Sequence, residues 1–160
     1  MVKAVFMTRV SPDYDDVPEK QYHFQQAYRG QAEAAVGDMI VYYEPRRSGS
    51  SERPASGRQA YFAFARLTHI EPDPILADHF YGFVDDFLDF DRPVPFKEAG
   101  GYYESALMRE DGKTSKGAFG RSVRLLPEHE FAAIIAAGYA SISGYEPART
   151  NLADFGFSDT

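Results

Sequence analysis

The sequence predicts a single α+β domain, and three observations carry that expectation. Short β-rich runs recur along most of the chain, and one segment, Pro127 to Ala137, has the marks of a helix at both ends. The length, 160 residues, suits one domain and is large enough to bury a core without covalent staples.

Val2 to Thr8 (VKAVFMT) reads as the first strand, and Ser11-Pro12-Asp13 and Val17-Pro18 break it. Phe24 to Ala35 places Phe24, Ala27, Tyr28, Gln31 and Ala35 on one helical face and is expected to be a helix, weakened by Gly30. Gly37-Asp38 turns the chain into Met39 to Tyr43 (MIVYY), the clearest strand, which ends at Pro45. Arg46 to Gly57 has no periodicity and is expected to be a loop. Gln59 to Ile70 alternates and should pair with MIVYY as a long hairpin. His79 to Phe90 fits a helical stripe through Phe80, Phe83, Phe87 and Phe90, but its run into Arg92-Pro93-Val94-Pro95 favours a strand. Glu110-Asp111-Gly112 is a turn, and Gly120 to Leu126 is a strand. Pro127 to Ala137 is a helix with proline and acids in its first turn and Gly138 as its cap. Residues 141–160 lack a pattern and are expected to be a tail or linker; residues 1–140 form the domain.

Composition narrows the function classes. There is no cysteine, which removes disulfides, thiol catalysis and cysteine-ligated zinc and suits a reducing, cytoplasmic setting. No apolar run has the length of a signal peptide core or a membrane span, so no membrane partner is expected. The histidines, His23, His69, His79 and His129, are not at metal-ligand spacing, so neither metal nor cofactor is expected. Nucleotide-binding glycine fingerprints and serine-nucleophile elbows are missing too. Asp85, Asp86, Asp89 and Asp91 could be read as paired carboxylates, but such a run usually marks a solvated face. The reading is a binding module rather than an enzyme.

Two features suggest what it binds. Phe and Tyr number 13 and 11 with no Trp, more tyrosine than a core usually takes, because each buried hydroxyl needs a partner. The net charge is −7, yet Glu44 to Arg66 and Arg109 to Arg124 each hold five basic residues against two acidic ones. Aromatic and polar clusters stand at Tyr22-His23-Phe24, Tyr42-Tyr43-Glu44-Pro45-Arg46-Arg47 and Tyr102-Tyr103-Glu104-Ser105. Rings to stack on a flipped base, a carboxylate for its edge and arginines for phosphates are the parts a base reader needs. The competing account is that the tyrosines fill the core and the arginines dress a hairpin.

Several strings in order resemble the EVE domain of the PUA-like superfamily. They are Ala35-Val36-Gly37-Asp38-Met39-Ile40-Val41-Tyr42-Tyr43, Tyr61 to Ile70 (YFAFARLTHI), and Gly120-Arg121-Ser122-Val123-Arg124 before Pro127-Glu128-His129-Glu130-Phe131. Tyr14 to Pro18, Tyr22-His23-Phe24, the Tyr42 to Arg47 string, Arg92 to Phe96 and Tyr102 to Ser105 look like the N-terminal readers of bacterial EVE–HNH restriction endonucleases, though no HNH motif is present here. The resemblance implies a PUA-like mixed β pseudo-barrel flanked by helices, with a pocket in its mouth. It implies recognition of 5-methyl- or 5-hydroxymethylcytosine in double-stranded DNA by base flipping. The implied pocket residues are Thr8, Arg9, Tyr22, His23, Phe24, Tyr43 and Glu44, then Tyr103, Glu104, Arg121 and Ser122. Arg46, Arg47, Arg58, Lys113 and Lys116 are the expected phosphate contacts. YTH relatives stack a Trp in the region of Tyr22 to Phe24; Tyr22 or Phe24 would do so here. A YTH-like modified-RNA reader and an ASCH-like nucleoside enzyme, with Lys3, Lys97, Lys113 or Lys116 in its site, are alternatives the same resemblance leaves open; a homodimer is a further expected partner state.

Overall fold

The computed structural model describes residues 2–8, 16–46 and 57–140. The chain runs β1 (Lys3–Met7), β2 (Gln21–Gln25), α1 (Arg29–Ala34), β3 (Met39–Glu44), β4 (Ala60–Pro72) and β5 (His79–Pro95). Then follow β6 (Lys97–Glu98), β7 (Gly101–Tyr102), α2 (Lys116–Phe119), β8 (Val123–Leu126) and α3 (Glu128–Gly138). Six strands form one mixed sheet in the order β2-β5-β4-β3-β1-β8; β1 and β3 are parallel, and the other pairs are antiparallel.

The sheet curls far enough for one side chain to bridge its two ends. The Tyr22 hydroxyl on edge strand β2 donates to the Met7 carbonyl at 2.6 Å, with the Ser122 carbonyl, just before the opposite edge strand β8, at 3.1 Å. Register shifts help it bend: one between β3 and β4 at Tyr42/Tyr43, and three between β4 and β5. Such bulges add local twist. The molecule is thus mostly β, a curled half-barrel with few helices.

Alternation along the strands sorts the core into two layers. Inside the curl lie Ala4, Phe6, Tyr22, Phe24, Ile40, Tyr42, Leu67, Phe80 and Val84. On the outer face Val5, Val41, Tyr43, Tyr61, Phe64 and Phe90 pack with Phe131, Ile134 and Ile135 of α3. Gly82 keeps the inner layer tight: a Cβ there would stand 3.1 Å from Leu67 Cδ1.

The hairpin of β3 and β4, the strand over His79 and beyond, and the helix after Pro127 all form as the sequence predicts. The helix expected over Phe24 to Ala35 does not. Residues 21–25 are strand, 26–28 a 3-10 turn, and only Arg29–Ala34 is α-helical. Pairing with β5 wins there, because it buries Tyr22 and Phe24 together. Gly138 does not cap α3 either. It is the last helical residue, where a Cβ would come within 2.6 Å of the Phe90 ring. The loop expected from Arg46 to Gly57 lies mostly, and the expected tail wholly, outside the described residues.

Candidate functional site

β1 and β3, being parallel, end together, and β4 begins beside them. At that end Glu44 closes β3, and its Oε1 accepts from Arg58 Nε at 2.6 Å and from Arg58 N at 3.1 Å. The Arg58 guanidinium lies over the Phe62 ring, 4.9 Å from its centroid. Phe62 is half-buried and stacks on Tyr42 at 5.9 Å and 19°. Phe87, also half-buried, lies 6.1 Å from Tyr42 on another side. Behind them stand Phe6 and Tyr22, themselves stacked at 4.5 Å.

Tyr42 is fully buried, and its hydroxyl has no hydrogen-bond partner among the described residues. A buried donor left unmade costs about 1–3 kcal/mol. Burial pushes the phenol well above the ordinary tyrosine range, and the carboxylates of Asp16 and Glu19 push in the same direction. Tyr42 is therefore a neutral donor held among rings. A flat ligand would reach this hydroxyl with its carbonyl or ring nitrogen only by displacing Phe62 or Phe87, the half-buried rings that cover it.

The residues chosen from the sequence divide between the two faces of the sheet. Thr8 follows β1, is buried, and bonds through its amide to the Tyr43 carbonyl at 2.9 Å. Tyr22 and Phe24 are inside the curl but fully buried, and Tyr22 is engaged at the sheet seam. Glu44, Arg58 and exposed Arg46 lie at the end just described. Ser122 is buried beneath the seam, where its carbonyl accepts from Met7 N at 2.8 Å. His23 points outward, with Nε2 2.7 Å from Asp73 Oδ2 and its ring stacked on Tyr81. Tyr43, Tyr103 and Glu104 belong to the outer face. Arg121, Lys113 and Lys116 are exposed along the segment that covers it. Arg9 and Arg47 lie outside the described residues. Tyr42, Phe62 and Phe87 were not singled out as site residues, because which ring of each strand enters the curl is set by the pairing register and its bulges rather than by local alternation.

The outer face holds a buried ion pair. Glu104 receives Arg124 Nε and Nη2, both at 2.8 Å, and the Tyr61 hydroxyl at 2.7 Å. Arg124 Nη1 also donates to the Arg121 carbonyl at 3.0 Å. Burial works against the Arg124 charge, but Glu104 outweighs it and holds the guanidinium above its ordinary value. Burial and Glu104 together raise the Tyr61 phenol well above its usual range. With every acid and guanidinium contact directed inward, this group ties the 96–121 segment to the sheet.

Among the described residues no group of three or more His, Asp or Glu side chains is placed to hold a metal ion, and no helix is long and apolar enough to cross a membrane. The four aspartates of β5 are exposed. No protein-family model matches the sequence, and no curated protein matches it.

Proposed function

We propose that the chain is a reader of modified cytosine in DNA, a PUA-like EVE domain that takes a flipped base into the open end of the curled sheet. It would serve as the recognition part of a modification-dependent restriction system. The observation that carries this reading is the fully buried Tyr42: its ring is packed among Phe6, Tyr22, Phe62 and Phe87, and its hydroxyl is unanswered by the described residues. A base edge supplies the missing acceptor, and the half-buried rings of Phe62 and Phe87 supply the stacking that the missing tryptophan would give. Flipping costs a few kcal/mol, and stacking on an aromatic side chain returns about 1–3 kcal/mol per base. Arg46 and Arg58 at the rim fit phosphate contacts, with Glu44 holding Arg58 in place. The curled half-barrel accords with the family that the sequence strings resemble.

The test is fluorescence anisotropy with duplexes carrying a single cytosine, 5-methylcytosine or 5-hydroxymethylcytosine. One modified duplex should bind more tightly than plain DNA, and Phe62→Ala should abolish that preference. Equal affinity for all three duplexes overturns the reading.

A further inference from the structure

On the outer side of β5, Tyr81 and Phe83 form a second aromatic surface, turned away from the interior because Phe80, Gly82 and Val84 fill it. Both rings are half-buried. Each has an imidazole against it: His23 stacks on Tyr81 at 4.5 Å and 9°, and His69 on Phe83 at 4.8 Å and 16°. The two rings line an open depression of about 470 Å³ together with Gln21, Glu71, Pro72 and Pro74. No lysine or arginine lines it, and the Glu71 carboxylate is 60 % exposed, with Oε2 3.5 Å from His69 Nε2 and Oε1 left to accept from a guanidinium.

An apolar knob stands next to Pro74 of the depression. Asp73 Oδ1 accepts from the amides of Ile75 at 2.8 Å and Leu76 at 3.2 Å, and Oδ2 is held by His23. That turn presents Ile75 at 88 % exposure.

We propose that this face docks an arginine-bearing segment of a partner polypeptide. A guanidinium is flat and weakly hydrated; it stacks on aromatic rings and takes a carboxylate in a fork. Tyr81, Phe83 and Glu71 offer those features together, on a chain of net charge −7. The depression is open rather than enclosed, which suits a side chain carried by a backbone. Ile75 adds apolar contact that a free small cation would not use. The proposal does not depend on the base-reading site, which lies inside the curl.

The experiment follows backbone amide shifts of the full chain during titration with an acetylated, amidated Leu-Arg-Leu peptide. Parallel titrations use the same peptide with citrulline for arginine, and free agmatine. Shifts should gather at residues 69–76 and 79–84. Citrulline should weaken binding at least about fivefold, roughly 1 kcal/mol, and Glu71→Gln, an exposed change that leaves the fold alone, should do the same. Citrulline binding as well as arginine, or agmatine binding as well as the peptide, overturns the proposal. So do shifts at these residues on dilution alone, which would mean that a second copy occupies the face.

Discussion

The Tyr22 hydroxyl lies 2.6 Å from the Met7 carbonyl oxygen and ties edge strand β2 to the end of β1 across the curl of the sheet. Tyr22 is 1 % exposed and also stacks on Phe6. Tyr22→Phe keeps the ring and removes the bond, leaving a buried carbonyl unanswered. Urea unfolding should show a loss of about 1–3 kcal/mol. Amide exchange should quicken first in β2 and β8.

The Glu104–Arg124 pair sets a larger penalty. Glu104→Gln leaves a buried guanidinium without its counter-charge and should cost about 3–5 kcal/mol. A triple variant with Glu104→Leu, Arg124→Met and Tyr61→Phe leaves no polar group of the cluster stranded and should recover most of the loss. Equal stability of the single and triple variants would show that the charge is not what matters.

These two relationships differ in how far they could be read beforehand. The β3–β4 hairpin and α3 are written in local periodicity, and both form nearly where expected. Tyr22 and Phe24 give only two alternating positions, too few to outweigh the helix formers after them. Their strand follows from pairing with β5, a partner almost sixty residues away. Likewise the string Met39 to Glu44 led to Tyr43, not Tyr42, as the pocket tyrosine. Only the parallel register that pairs Phe6 with Tyr42 decides which tyrosine enters the curl. Arg124 was the one basic residue in the apolar run Val123 to Leu126, a local hint of a buried ion pair, but its partner twenty residues back could not be read from spacing.

Gly138 tests how tightly α3 sits on the sheet. The Cβ of an alanine there would fall 2.6 Å from Phe90 Cγ and Cδ2. Although alanine is the better helix former, Gly138→Ala should destabilise by about 1–3 kcal/mol through overpacking. Phe90→Leu in the same chain should relieve part of it, a coupling that a double-mutant cycle measures.

Asp73 makes the hairpin tip acid-sensitive. Amide donation from Ile75 holds its carboxyl below the ordinary aspartate value, helped by Leu76 and by His23. A carboxyl depressed in the folded state stabilises it above the unfolded value, and that contribution is lost as pH falls through the folded one. Amide exchange at Ile75 and Leu76 should therefore accelerate only below the usual aspartate range, and Asp73→Asn should remove that pH dependence.

Two fully buried tyrosine hydroxyls, those of Tyr42 and Tyr43, have no partner among the described residues, and they face opposite sides of the sheet. Removing a buried donor that makes no bond costs the fold nothing, so Tyr42→Phe and Tyr43→Phe should each leave urea stability unchanged or raise it. Their effects on binding should separate. If Tyr42 answers a base, Tyr42→Phe loses about tenfold in affinity for the preferred duplex, roughly 1.4 kcal/mol. Tyr43→Phe, on the face sealed by Phe119 and Arg124, changes nothing. Gain of stability with loss of binding at Tyr42 alone would mark a hydroxyl retained for a ligand rather than for the fold. Identical behaviour of the two variants in anisotropy would remove Tyr42 from the site.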